Sequence, residues 1–220
     1  MRRTKGTASN SIKRRQVKHR NRRHARLQAR PPAAYRQRGI GSSGHREAFS
    51  APECWYEPLE TGEIQFIAKP AGSGYVHPVG VEEVRARISL LPERFTQNLA
   101  VVQLSQMTRK QALFPYYGMQ WGSSVYLYPL EESLVETYVR PPRPQQLIEA
   151  QMYGGTWLQD GELWRLTWTL QTIKDFYLNN VLIHEIGHVH DIRNSNFNAR
   201  ERYANWFAIE YGYRASRGRR

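Results

Sequence analysis

Residues 177–191, which read YLNNVLIHEIGHVHD, constrain the fold of this chain more than any other stretch. They contain His184, Glu185 and His188 in the spacing H-E-x-x-H. Residues four apart on an α-helix lie on the same face one turn above each other, so the two imidazoles can converge on one metal ion. Glu185 then lies beside that ion, where a carboxylate can accept a proton from an attacking water molecule. The stretch therefore predicts a helix with one metal-binding face.

The helix around this motif, called the motif helix below, is predicted to begin near Thr169 and to run to about Asp191. Its apolar residues recur at helical spacing and would bury it in the centre of the domain; they are Ile173, Phe176, Tyr177, Val181, Leu182 and Ile186. Gly187 lies inside the helix, where a glycine costs about 1 kcal/mol relative to alanine. A glycine at this position indicates that another element approaches the helix closely.

A third metal ligand is needed, because a catalytic zinc ion usually takes three protein ligands and one water. The candidates are Glu201, His190 and Asp191. His190 is two residues from His188 and points to a different face, and the short side chain of Asp191 lies one turn further along the same helix. Glu201, on a second helix predicted over 199–213, is the best geometric candidate.

One face of the second helix carries Glu201, Ala204, Asn205 and Ala208, at i, i+3, i+4 and i+7. The small residues allow close packing against Gly187. Asn205 is expected to accept a hydrogen bond from the second nitrogen of one ligand imidazole, and Asp191 is expected to do the same for the other.

Glu201 has a competing explanation in the local sequence. Asn198 followed three residues later by Glu201 fits a capping box, in which the glutamate only closes the first turn of the helix. The sequence leaves both explanations open, and the neighbouring H-E-x-x-H favours the ligand.

The two motifs together resemble those of a known group of metallopeptidases. They read HEIGHVHD and, over residues 201–208, ERYANWFA. This is similar to the gluzincin pattern, with a second half like that of ImmA/IrrE-type peptidases and a first half like that of the anthrax lethal factor C-terminal domain. The resemblance covers about residues 177–213. It implies a zincin-like fold in which Zn²⁺ is bound by His184, His188 and Glu201, with Glu185 as general base.

From about residue 51 the composition is that of a folded domain. Residues 63–69 and 99–104 are predicted as strands and 81–91 and 145–152 as helices. The aromatic series over 113–130 predicts two strands joined by a turn at Gly122-Ser123-Ser124, with its aromatic side chains in the sheet core. The predicted fold class is α+β, a small antiparallel or mixed sheet packed on the motif helix and the second helix.

Residues 156–168 predict a hairpin, because Asp160-Gly161 between two strand-like runs is typical of a tight turn. Two interpretations remain open. The hairpin either closes the sheet or supplies an edge strand beside the active site, to which an extended peptide can add.

The net charge of +13 is concentrated at the N-terminus. Residues 1–46 hold 15 of the 32 Lys and Arg and no Asp or Glu, so the rest of the chain is close to neutral. Dense like charge with few apolar residues predicts that residues 1–50 are a disordered tail. The tail either binds nucleic acid through phosphate contacts or is solvated without a partner, and a transit peptide is a third interpretation. Its basic clusters are Lys13, Arg14, Arg15, Arg20, Arg22 and Arg23.

Three further features bear on location. The sequence has no apolar run long enough to span a membrane, and its start lacks the apolar core of a secretory signal. Cys54 is the only cysteine. Together they favour a cytoplasmic protein without a membrane partner.

The function that these patterns favour is zinc-dependent hydrolysis of a protein or peptide substrate. Tyr203, Tyr211 and Tyr213 are available as donors to the oxyanion, and the sequence does not choose among them. The alternative is a nucleic-acid-associated binding protein that uses the basic arm and carries a structural or regulatory zinc site.

Overall fold

The computed structural model describes residues 61–113 and 116–218, together with Pro52, Tyr56 and Leu59. The predicted disordered tail over 1–50, with its six clustered basic residues, lies outside the described residues.

Within the described residues, strands and helices alternate along the first half of the chain and helices fill its end. The strands are β1 (Gln65–Ala68), β2 (Tyr75–Val76), β3 (Val101–Leu104), β4 (Gly118–Trp121), β5 (Ser124–Leu127), β6 (Leu130–Glu131), β7 (Val135–Tyr138), β8 (Thr156–Asp160) and β9 (Leu163–Thr167). The α-helices are α1 (Val81–Ser89), α2 (Glu93–Thr96), α3 (Arg109–Leu113), α4 (Pro144–Met152), α5 (Leu170–Phe176), α6 (Leu182–His190) and α7 (Phe197–Phe207). Two π turns, Tyr177–Val181 and Ala208–Arg214, continue α5 and α7.

The largest sheet is mixed and has the strand order β1-β3-β5-β4. The first three strands are parallel, and β4 returns antiparallel to β5 through a turn in which Gly122 has a φ of +57°. The predicted turn within the aromatic series is therefore confirmed. As the last strand in the order, β4 leaves one edge unpaired by any strand of the described residues. The α+β class with a mixed sheet is also confirmed.

The predicted hairpin forms from β8 and β9, with Asp160 opposite Leu163 and Gly161 in the turn. Both strands belong, however, to a separate antiparallel sheet of order β7-β9-β8. The hairpin completes that sheet and none of its residues lines the cleft beside the motif helix, so the interpretation of it as an edge strand at the predicted site is wrong. Strand alternation alone does not say which sheet a hairpin joins.

The motif helix has the predicted bounds. Thr169 is its N-cap, because the Thr169 hydroxyl accepts a hydrogen bond from the backbone N–H of Thr172, and Asp191 is its C-cap. Between them α5, the first π turn and α6 run without a break. The six apolar residues predicted to bury the helix are all buried.

The two π turns lie against each other. Gly212 in the second contacts the carbonyl oxygen of Asn179 in the first. The buried Arg87 joins both turns, since its Nε donates to Asn179 Oδ1 at 2.6 Å and its Nη2 donates to the Tyr211 carbonyl at 2.5 Å. A π turn widens a helix by one residue and changes the phase of everything that follows. The first turn therefore changes the phase of α6, and its contact with the second turn joins the segment before α6 to the segment after α7.

The main core forms between the mixed sheet and the motif helix. Val102, Leu104, Val125 and Leu127 share one sheet face and are buried with the helix residues. α6 packs on β4 and β5 on one side and on α7 on the other. No helix within the described residues is both long and apolar enough to cross a membrane.

Candidate metal centre

Three side chains from α6 and α7 converge on one point. His188 Nε2 lies 3.1 Å from His184 Nε2 and 3.1 Å from Glu201 Oε1. His184 Nε2 lies 3.7 Å from Glu201 Oε2. Protein ligands of a tetrahedral zinc ion, each 2.0–2.1 Å from the metal, are separated by roughly 3.3 Å. The three side chains can therefore hold a metal ion of this kind without large movements.

The burial of these groups also suits a cation. Glu201 Oε2 is buried and has no hydrogen-bond partner among the described residues. A buried carboxylate oxygen without a partner is costly, because it has lost its hydration and gained nothing in return. A divalent cation between the three side chains would offset that cost, so the donor set fits zinc.

Gly187 is the reason that the two helices approach so closely. A Cβ at position 187 would lie 3.1 Å from Ala204 Cα and 3.1 Å from Phe207 Cβ. The predicted close packing against Gly187 is confirmed for Ala204, and the other neighbour is Phe207, which the prediction did not include. This approach brings the Glu201 carboxylate within reach of two histidines on the neighbouring helix.

The local explanation for Glu201 is wrong. α7 is capped by Asn196, whose side chain accepts a hydrogen bond from the Ala199 backbone N–H at 2.8 Å. Asn198 is already inside the helix, so Glu201 is not the third residue after the cap. Its carboxylate lies instead against the two imidazoles.

Glu185 lies between α6 and the edge strand β4. It is 5% exposed, and Gly118 approaches it so closely that a Cβ there would lie 2.9 Å from Glu185 Cγ and 2.9 Å from its Oε1. The carboxylate therefore lines the same cleft as the three converging side chains.

This cleft has a volume of about 600 Å³ and is lined by residues of β4, α6 and α7. Its aromatic walls include Tyr116, Trp121 and Phe197, and Phe197 is 63% exposed at the mouth. Arg200, one residue before Glu201, supplies the positive side chain of the lining. The arrangement combines three side chains that can hold a metal, an adjacent carboxylate and a strand edge that no described strand pairs with.

The other predicted site residues lie elsewhere. The Asp191 carboxylate accepts hydrogen bonds from the Asn194 side chain at 2.9 Å and the Asn194 backbone N–H at 3.2 Å, so it orders the loop after α6. Its predicted contact with a ligand imidazole is not among these bonds. Asn205 is half-buried on α7, and its predicted role stays a prediction. His190 is 2.8 Å from the Tyr203 hydroxyl through its Nδ1, which agrees with its exclusion from the ligand set.

The three tyrosines considered as oxyanion donors lie outside the cleft. Tyr203 bonds to His190, Tyr211 packs on Phe95, and Tyr213 packs on Tyr153. Residues of β4 and Arg200 also line the cleft, although they were not among the predicted site residues. Gly118 within an aromatic strand was the available signal, since a glycine in a strand often marks a close approach.

Comparisons of the chain with models of protein families, with curated proteins and with solved structures gave no match.

Proposed function

We propose that this protein is a zinc-dependent metallopeptidase with a zincin-like fold. The observation that carries the proposal is the convergence of His184, His188 and Glu201 within 3.1–3.7 Å, next to Glu185 in an open cleft. Two separate helices supply these side chains, so their convergence depends on the packing of α6 on α7 and not on local spacing alone. The mixed sheet with an antiparallel edge strand above the motif helix also suits a zincin-like arrangement.

Each protein group has a defined task in this proposal. Zinc bound by three protein ligands supplies Lewis acidity toward water and a carbonyl oxygen. The Glu185 carboxylate accepts a proton from the water that adds to the scissile carbonyl carbon. It then returns that proton to the leaving nitrogen as the C–N bond breaks, so one peptide and one water give a carboxylic acid and an amine.

The edge of β4 is the proposed substrate platform. An extended peptide can add to an open strand edge by backbone hydrogen bonds, which bind any sequence. Gly118 has no side chain to separate such a peptide from Glu185. Trp121 and Phe197 border the cleft and would contact apolar substrate side chains.

The test is cleavage of fluorescein-labelled casein by the zinc-loaded full chain and by its Glu185→Gln variant. Glutamine keeps the shape of the side chain and removes the base. We expect the variant to retain zinc and to lose about 10²- to 10⁴-fold in rate, as loss of general base catalysis does. Equal cleavage by both proteins, or no cleavage by zinc-loaded wild type, would contradict the proposal.

The basic arm supports a second function, nucleic-acid binding, because residues 1–46 hold 15 basic and no acidic side chains. Phosphate contacts of this kind weaken steeply with salt and do not read sequence. Replacing the six clustered residues by glutamine should lower retention on DNA or RNA at low salt and leave casein cleavage unchanged. Unchanged retention would show that the arm is a solvated tail.

A further inference from the structure

Arg200 is held at the cleft by two hydrogen bonds. Its Nη2 donates to the side-chain oxygen of Gln120 on β4 at 3.2 Å and to the backbone carbonyl of His188 on α6 at 3.1 Å. Gln120 is itself anchored, since its Nε2 donates to the Gly122 carbonyl at 2.5 Å. The guanidinium is therefore fixed between the open strand edge and the helix that carries the two histidines.

The charge of Arg200 has no partner in the described part of the chain. None of the Asp and Glu residues there forms an ion pair with it, although Glu201 is the next residue and Glu185 lines the same cleft. Both of its hydrogen bonds use Nη2, and both acceptors are neutral. Nη1 and Nε have no acceptor among the described residues. Arg200 is half-buried, and Nη1 and Nε are not among the buried side-chain atoms without a partner, so both are open to a negative group in the cleft.

We propose that Arg200 binds a carboxylate of the substrate, so that the cleft selects peptides with a carboxylate near the scissile bond. This inference rests on the proposed peptidase function and specifies its substrate class. Arg200 is the only Lys or Arg among the described residues that line the cleft. Its Nη1 and Nε each keep an N–H group that can donate to a carboxylate, and the bonds through Nη2 hold the guanidinium in place before the substrate arrives.

The carboxylate can come from an acidic side chain or from the free C-terminus of a peptide. Recognition of a side chain would make the protein an endopeptidase, and recognition of the C-terminus would make it a carboxypeptidase. The chemistry at Arg200 is the same in both cases, so matched peptides must distinguish them.

The experiment measures peptide binding to the zinc-loaded full chain carrying Glu185→Gln, which separates binding from hydrolysis. The peptides are acetylated hexapeptide amides of alanine with a central phenylalanine. In one series a single glutamate is moved through the other positions, and each member has a glutamine twin. A further peptide has alanines, the phenylalanine and a free C-terminal carboxylate.

We expect one of these carboxylates to tighten binding by about 10- to 100-fold over its neutral twin, as for a hydrogen bond to a charged group. Arg200→Gln in the same background should abolish that ratio. Arg200→Lys should keep only part of it, because lysine retains the charge as a single ammonium group on a flexible stem. Arg202→Gln, an exposed neighbour on the same helix that does not line the cleft, is the matched control and should keep the ratio.

The outcomes separate the two proposals. If Arg200→Gln weakens the acidic and neutral peptides equally, Arg200 only joins β4 to α6 and the inference is overturned. The inference is also overturned if no carboxylate peptide binds the Glu185→Gln protein more tightly than its neutral twin. Casein cleavage by wild type would still support the peptidase under either result. Carboxylate-dependent binding without any cleavage would support the inference and remove the proposed function.

Discussion

Gly118 of the edge strand lies directly against Glu185 of the motif helix. A Cβ at position 118 would lie 2.9 Å from Glu185 Oε1 and 2.8 Å from Val181 Cγ1. Both side chains are buried, so a Cβ at position 118 would displace Glu185 or push β4 away from the motif helix. The contact sets the position of the proposed base relative to the strand on which a substrate would lie.

Gly118→Ala should therefore lower peptide cleavage by at least about 10-fold, since misplacement of a catalytic group by about 1 Å can cost more than that. Zinc content should be unchanged, because the three atoms nearest to a Cβ at position 118 belong to Val181 and Glu185 and not to a ligand. The measurement is kcat/KM for casein together with zinc per chain. Gly80→Ala is a control, because its Cβ would meet only Glu83 at 3.7 Å. Full activity in Gly118→Ala would show that Glu185 is not held by the strand.

The contact between the two π turns predicts a loss of stability. In Gly212→Ala the new Cβ would overlap the carbonyl oxygen of Asn179, which is backbone and held by Tyr153 at 3.0 Å. We expect the free energy of unfolding to fall by about 3 kcal/mol, at the upper end for overpacking. Urea unfolding measures this. A change below about 0.5 kcal/mol, as at an ordinary surface site, would show that the turns separate easily.

Glu136 predicts a pH dependence of stability. Trp168 Nε1 donates to its carboxylate at 3.0 Å and the Tyr138 hydroxyl donates at 2.9 Å. The Tyr117 hydroxyl is a third donor to the same carboxylate. Burial raises the pKa of Glu136 above its ordinary value, and the three donors oppose that rise without cancelling it. The folded state then binds more protons than the unfolded state, so the free energy of unfolding falls as the pH rises through the raised pKa.

Glu136→Gln removes this titration, and the glutamine amide can still form hydrogen bonds with Tyr117, Tyr138 and Trp168. Urea unfolding of both proteins from about pH 4 to about pH 8 should show the wild type losing stability relative to the variant as the pH rises. The comparison with the variant cancels the titration of the histidines. Parallel profiles would mean that the carboxyl is charged at little cost in the fold.

Much of the fold could be predicted, because it follows from local patterns. The burial of Ile173 through Ile186 follows from helical periodicity, and the hairpin at Gly161 follows from turn chemistry. The pairing of Glu201 with two histidines could be inferred because Gly187 and Ala204 are small and allow the two helices to pack closely. Each of these signals lies within a few residues of its consequence.

The missed features depend on contacts between distant segments. The strand with Gly118 is the edge strand at the cleft, and the hairpin joins another sheet. Neither placement can be predicted from local sequence patterns. The cap at Asn196 could not be separated from one at Asn198, because both residues suit that position. Asp191 has its acceptors satisfied by the following loop, a competition that helical spacing cannot reveal.

Zinc binding by the full chain and its Glu201→Ala variant is the most direct test of the central claim. We expect about one zinc ion per wild-type chain under zinc-replete conditions. The affinity should fall by at least about 10-fold in Glu201→Ala, the smallest loss typical even for groups that only support a ligand. His190→Ala should keep its zinc, because His190 bonds to Tyr203. Negligible zinc in the wild type, or unchanged affinity in Glu201→Ala, would contradict the assignment of His184, His188 and Glu201 as its ligands.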